Sequence, residues 1–152
     1  MERTSKWVVP NDVLLSQIAD NLRQGKRVLL TVRGNSMNPV WMDRRDQVEL
    51  SAFRQEDARV GVVVLAGLKS GGHVLHRIIK IAGERVTLQG DGNLYSEEQT
   101  EVSLIMARVT AFVRNGKKGR CDSWKWKTYS WMWMRMYPMR RWLLAVWRIL
   151  IK

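Results

Sequence analysis

VGVVVLAGLKSGGHVLHRIIKIAGERVTLQG, residues 60–90, contains three short apolar segments separated by glycine-containing turns. Valine, isoleucine and leucine dominate these segments, and β-branched residues favour strands. Strands of this length joined by tight turns pair with their neighbours in the chain as antiparallel hairpins. The stretch therefore predicts three consecutive strands, at 60–67, 73–81 and 84–90.

The strand pattern continues on both sides of this stretch, with further segments predicted at 27–34, 46–53 and 102–114. Residues 11–24, NDVLLSQIADNLRQ, differ because their apolar side chains recur at helical spacing. Asn11 or Asp12 can cap the first turn of this helix, and Gly25 stands where a helix-ending glycine belongs. The sequence thus predicts a mainly β, antiparallel domain preceded by a helix.

Basic charge is concentrated toward the C-terminus. The 152 residues carry a net charge of +12, and residues 117–152 hold ten Lys or Arg and one acid, a net of +9. This charge asymmetry sets apart a basic tail (117–152). The helix and strand patterns divide the rest into an N-terminal helical segment (1–26) and a β core (27–116). A chain of this length favours one domain with a single core.

Cysteine and histidine are scarce, which limits the metal sites the chain can form. Cys121 has no second thiol to pair with, and His73 and His76 are the two histidines. A structural zinc site is disfavoured, so neither a metal nor another cofactor is expected. A single free thiol fits a reducing compartment.

Six of the eight tryptophans lie in the basic tail, which Pro138 divides. From Met139 to Lys152 the apolar residues fall on one face of a helix. A basic, tryptophan-rich amphipathic helix is typical of a segment that lies in the interface of an anionic membrane. The residues predicted to bind the membrane are Trp131, Trp133, Trp142, Trp147, Arg140 and Arg141.

The tail has two other interpretations, packing on the domain or on a partner protein, and nucleic-acid binding. Nucleic acid is the least favoured and is not expected as a partner, because the cluster WLLAVW (142–147) has no role on a phosphate backbone. Residues 1–30 have no signal-peptide pattern, and no apolar run reaches the length of about 18 residues that a transmembrane helix needs.

VRGNSMNP, residues 32–39, places Ser36 in a turn directly after a predicted strand. Gly34 lets the backbone approach a substrate closely. A serine in such a turn is usually only a turn residue. A serine hydroxyl becomes an effective nucleophile when a base takes its proton, so the candidate depends on a base elsewhere in the chain.

His76 is the candidate base. It lies three residues from His73 on a predicted strand, so the two side chains point to opposite faces, and His76 is the one with apolar neighbours. Asp91, at the end of the next predicted strand, is the candidate acid that orients the imidazole. Its segment GDGN is also a good hairpin turn, which leaves a purely structural role as the alternative.

Together these strings resemble the superfamily that joins type I signal peptidases with LexA-like self-cleaving repressors. The G-x-S-M-x-P box is matched at 34–39, the D-x-V strand at 46–48 and the base box H-R-[VI]-[IV] at 76–79. Histidine in the base box is the form of the endoplasmic-reticulum branch, whose G-D-N turn is matched at 90–93. The resemblance covers about residues 27–114.

The resemblance implies a signal-peptidase-like β core in which Ser36 attacks a peptide carbonyl, His76 accepts its proton and Asp91 supports His76. Contacts to the oxyanion and substrate are expected from the Ser36 N–H group and from Gly34, Asn35 and Met37. Self-cleavage is disfavoured, because only one helix precedes the core and the Ala-Gly pairs follow Ser36.

The function expected from these features is cleavage of a precursor or leader peptide at a membrane surface. The basic C-terminal anchor places the protein at the periphery of the membrane, on its cytoplasmic side. The alternative is a non-catalytic, membrane-tethered peptide-binding or scaffold domain. Two departures from the family favour that alternative: Val62 replaces the Asp of the G-D-[IV]-V strand, and no N-terminal anchor is recognised.

Overall fold

The computed structural model describes residues 11–152, which form eight strands and three α-helices. The strands are β1 (Val28–Thr31), β2 (Asp46–Ala52), β3 (Val63–Gly67), β4 (His73–Ala82), β5 (Arg85–Gln89), β6 (Glu98–Glu101), β7 (Ile105–Arg114) and β8 (Lys117–Arg120). The helices are α1 (Asn11–Arg23), α2 (Trp124–Arg135) and α3 (Arg140–Leu150). Short 3-10 turns occur at Gln55–Asp57, Val102–Leu104 and Tyr137–Met139.

All strands belong to one curled, half-barrel sheet in the order β1-β2-β7-β3-β4-β5-β6, and β8 pairs with β7. Every pairing is antiparallel. The prediction of a mainly β, antiparallel fold with an N-terminal and a C-terminal helix is confirmed. β6 and β8 were not predicted, because EQTE and KKGR are short and polar.

Hydrophobic side chains cluster on both faces of the sheet, since neighbouring residues of a strand point to opposite sides. Val63 and Leu65 of β3 join the cluster that also contains Val48 and Trp41. Val64, between them, belongs to the second cluster, which extends across β4 and β5. Each face of the sheet therefore carries its own buried hydrophobic cluster.

α1 packs on the first cluster through Ile18 and Leu22, both buried. Gly25 follows the helix with φ +73° and donates its N–H to the Leu22 carbonyl at 3.0 Å, which confirms the predicted helix end. The predicted N-cap side chain, Asn11 or Asp12, lies outside the described residues, as does the part of segment 1–26 before residue 11.

The C-terminal region is continuous with the β domain. β7 and β8 form an antiparallel hairpin in the sheet. The predicted boundary after residue 116 falls between these two paired strands. Trp126 of α2 stacks on the fully buried Trp41, with ring centroids 5.3 Å apart. Among the described residues, no helix has both the length and the apolar character needed to cross a bilayer.

Candidate active site

The segment between β1 and β2 carries Ser36 and is anchored at both ends. The Gly34 N–H donates to Asp43 Oδ1 at 2.8 Å, and Gly34 adopts φ +79°, a conformation that favours glycine. After Ser36, Met37 and Trp41 insert into the first hydrophobic cluster. Ser36, which is half-buried, thus lies on a loop that the core holds in place.

The turn after β5 supports this loop through two glycines. Gly92 donates its N–H to the Ser36 carbonyl at 2.8 Å. A Cβ atom on Gly90 would lie 2.3 Å from the Ser36 oxygen, and one on Gly92 would lie 2.7 Å from the Asn35 oxygen. Any larger residue at either position would push the Ser36 loop away, so the close approach requires glycine.

His76 lies on β4 beside this contact and is 5% exposed. The β4–β5 register pairs Arg77 with Gln89, and continuing it by one residue places Gly90 opposite His76. Side chains at facing positions of an antiparallel pair are separated by about 5 Å. Because the Ser36 carbonyl occupies the place of a side chain at position 90, the Ser36 loop and His76 are neighbours.

Glu98 is the carboxylate that holds His76. The distance from His76 Nδ1 to Glu98 Oε2 is 2.7 Å, and Glu98 is largely shielded from solvent. The sheet register explains this contact, because Ile78, Leu88 and Glu98 face one another across β4, β5 and β6. A carboxylate at Nδ1 selects the tautomer whose Nε2 is free to accept a proton.

Asp91 does not fill the role predicted for it. Both of its carboxylate oxygens accept hydrogen bonds from Arg77, at 2.8 and 2.6 Å. Arg77 follows His76 on β4, so its side chain leaves the opposite face of the sheet. The prediction that Asp91 orients His76 is therefore wrong, and Glu98, which sequence reasoning missed, has that position.

The Arg77–Asp91 pair is fully enclosed. Burial lowers the pKa of Arg77, but the charge and hydrogen bonds of Asp91 outweigh that effect and raise the pKa above its usual range. Nη1 of Arg77 donates to the Gly61 carbonyl and to the Ser130 hydroxyl, each at 2.9 Å. This ion pair is a permanent part of the core because all of its polar groups have partners.

The predicted oxyanion and substrate residues differ in what they offer. Within residues 11–152, neither the Ser36 N–H nor the Ser36 Oγ has a hydrogen-bonding partner. The Gly34 N–H is occupied by Asp43, and the Met37 side chain is 2% exposed in the core. The Met37 side chain therefore offers no contact to a substrate, whereas Asn35 is exposed beside Ser36.

The surface of the described residues includes two depressions. One, of about 480 Å³, is lined by Pro39, Val40 and the aromatic side chains of α2, and the other, of about 780 Å³, by α1 and His73. Neither depression includes Ser36 or His76.

Two of the residues predicted to bind the membrane are instead buried against the β domain. Trp133 donates its indole N–H to the Asp91 carbonyl at 3.3 Å, and Arg140 donates to Gln89 Oε1, also at 3.3 Å. Their amphipathic pattern reflects packing on the sheet, so the prediction is wrong for both. Trp131, Trp142 and Arg141 are exposed, and Trp147 is half-buried.

Other reactive groups do not compete with Ser36. Burial raises the pKa of the Cys121 thiol to about 12, which keeps it protonated and a poor nucleophile. The described residues contain no group of three or more His, Cys, Asp or Glu that could hold a metal ion.

No protein-family model and no curated protein matches the chain. The residues of the site are thus the basis for inferring its function.

Proposed function

We propose that the protein is a serine endopeptidase of the signal-peptidase type, with Ser36 as nucleophile and His76 as general base. The observation that carries this proposal is the 2.7 Å contact between His76 Nδ1 and Glu98 Oε2, on a histidine next to the Ser36 loop. A nucleophile, a base and an acid that orients the base are the parts that serine hydrolases share across unrelated folds.

In the proposed reaction, Ser36 Oγ attacks the scissile carbonyl carbon while His76 Nε2 accepts the hydroxyl proton. The tetrahedral intermediate collapses when His76 gives this proton to the departing amine, which leaves an acyl ester on Ser36. Water then attacks the ester with His76 again as base, releasing the acid product and restoring the Ser36 hydroxyl. The Ser36 N–H, which has no partner in residues 11–152, supplies a donor for the oxyanion.

Glu98 has two roles in this mechanism. It fixes the orientation of the imidazole in the resting enzyme, and its negative charge stabilises the imidazolium formed during attack. The position of Glu98, only 22% exposed, strengthens this interaction because little water screens it. His76 must be neutral before attack, because only the neutral imidazole can accept the Ser36 proton.

The proposed substrate is a precursor or leader peptide cleaved at a membrane surface on the cytoplasmic side. The membrane setting is supported by the exposed, basic and tryptophan-containing surface of the C-terminal helices.

A peptide-library cleavage assay tests the enzyme assignment. We expect cleavage by the purified protein that is abolished in Ser36→Ala and His76→Ala. The matched controls are Ser70→Ala and His73→Ala, which replace exposed residues of the same types and should leave cleavage intact. Equal activity in Ser36→Ala and the parent protein would refute the proposal.

The second candidate is a non-catalytic peptide-binding domain on the same fold. It is favoured by one observation, that Ser36 Oγ makes no hydrogen bond to His76 in the described structure. Contacts between nucleophile and base are often loose without substrate, so labelling distinguishes the two functions better than geometry. A fluorophosphonate probe should label Ser36 in the parent protein and in His73→Ala but not in His76→Ala, whereas a scaffold would remain unlabelled throughout.

A further inference from the structure

One side of α3 is apolar and open to solvent. Trp142, Val146, Ile149 and Leu150 recur at helical spacing and are 67%, 55%, 73% and 78% exposed. Met139, just before the helix, is also exposed on this side. We call these five residues the α3 face. An apolar surface this continuous on an exposed helix marks an interaction site more often than chance exposure.

The α3 face is distinct from the side of the helix that packs on the domain. Leu144 is 2% exposed, and Arg140 at the start of α3 reaches the Gln89 side chain and the Trp133 carbonyl. These contacts fix how the helix is rotated. The α3 face therefore points outward because of its packing and is not a core surface left uncovered by chance.

Positive charge borders the α3 face. Arg141, Arg148 and Lys152 are exposed and follow one another at helical spacing on the flank of α3 between the α3 face and the side that packs on the domain. Residues 123–152 contain no Asp or Glu, so no acid in this segment offsets that charge. The surface combines an apolar stripe with a cationic edge, the two features that an anionic lipid interface recognises.

We propose that the α3 face is the surface by which the protein binds an anionic membrane, with the apolar side chains entering the acyl boundary and the basic residues contacting headgroups. Charge argues for lipid over a second copy of the chain. Pairing two α3 faces would bring together two basic edges on molecules that each carry +12, which opposes association.

α3 is anchored to β5 next in sequence to the glycine that supports the Ser36 loop, on the face of the sheet opposite to His76. Arg140 contacts Gln89, the residue before Gly90, and Gly90 touches the Ser36 backbone. If the proposed peptidase function holds, the substrate is a peptide attached to or embedded in the same membrane. Binding through the α3 face itself does not depend on catalysis.

Vesicle cosedimentation tests the proposal independently of activity when it is done in the Ser36→Ala background. The vesicles are phosphatidylcholine alone and phosphatidylcholine with phosphatidylglycerol. The test variant combines Trp142→Glu with Ile149→Glu, and the control combines Trp124→Glu with Tyr95→Glu, which changes two exposed aromatic residues outside the α3 face. Circular dichroism confirms that each variant is folded.

We expect binding to the phosphatidylglycerol vesicles, weakened about tenfold or more by the test variant and about twofold or less by the control. Part of the affinity should persist at high salt, because insertion of apolar side chains is not screened. Equal binding by the test variant and its parent would overturn the proposal, as would absence of binding by the parent. Sedimentation velocity that shows a dimer lost in the test variant, without lipid binding, would assign the α3 face to self-association instead and also overturn it.

Discussion

The guanidinium of Arg77 and the carboxylate of Asp91 form a two-point ion pair at 2.8 and 2.6 Å, with 0% and 1% of their side chains exposed. Arg77 is the residue after His76, and Asp91 lies between the two glycines that support the Ser36 loop. The pair therefore joins β4, which carries His76, to the turn that supports the Ser36 loop. Neither Arg77 nor Asp91 contacts the reacting atoms in the proposed mechanism.

Asp91→Asn should destabilise the protein by about 3 kcal/mol or more, because it leaves the buried Arg77 charge without a counter-ion. The free energy of unfolding, measured by urea denaturation near neutral pH, checks this. Asp122→Asn is the control, since Asp122 forms an exposed pair with Arg120 and its replacement should change stability little. Similar losses in the two variants would contradict the argument.

Glu98→Gln should lower kcat about a hundredfold or more while leaving the fold intact, because the amide cannot stabilise the imidazolium. Its neighbour Glu97, which is exposed, provides the control Glu97→Gln. The measurement is kcat and KM for a cleaved peptide, with a thermal melt to verify folding. A loss confined to KM would show that Glu98 acts on substrate binding and not on His76.

Gly90→Ala and Gly92→Ala should each displace the Ser36 loop, since the new Cβ atoms would lie 2.3 and 2.7 Å from backbone oxygens. We expect a stability loss of about 2 kcal/mol and reduced reactivity of Ser36 toward a fluorophosphonate. In the control Gly67→Ala, the nearest atom is at 3.4 Å, so its effect should be smaller. Unchanged labelling of both test variants would show that the loop does not depend on these contacts.

Asp46 should make stability depend on acid pH. Burial raises the pKa of its carboxyl, but hydrogen bonds from Arg45, the Met42 N–H and Arg114 outweigh it and lower the pKa below 3.8. Its stabilising contribution is therefore present above pH 3.8 and is lost as the pH falls through the lower folded-state pKa.

Asp46→Asn should cost about 2 kcal/mol near neutral pH, and the difference from the parent should shrink as the solution is acidified below the ordinary range of aspartate. Urea denaturation at a series of pH values measures this difference. Asp20→Asn, at an exposed pair with Arg23, should change stability little at any pH. A deficit in Asp46→Asn that stays constant with pH would exclude the linkage.

The sheet could be predicted from the sequence where its strands are apolar. β3, β4 and β5 follow the segments 60–67, 73–81 and 84–90 closely, because β-branched residues and glycine turns are local signals. β6 could not be found in this way, since EQTE carries no apolar alternation and forms a strand only because β5 offers it an edge.

Which acid contacts His76, Asp91 or Glu98, is determined by the register of the sheet. Both acids follow β5 in the chain, and Asp91 stands in a turn that the family resemblance favours. The pairing of Leu88 with Glu98 brings Glu98 to the His76 face, and only the folded sheet determines that pairing. Likewise, an amphipathic tail cannot reveal from its pattern alone that Trp133 and Arg140 pack on the domain while Trp142 remains exposed.

Burial of Met37 and Trp41 ties the position of Ser36 to the global stability of the protein. A local opening of the Ser36 loop would bring these two large side chains into water at a cost of about 2 kcal/mol or more each. Local unfolding of the Ser36 loop therefore costs a large free energy. We expect Ser36 to stay in its position until the sheet itself unfolds. Loss of serine labelling and loss of the β-sheet signal should share one denaturant midpoint, so the lifetime of the active site is the lifetime of the fold.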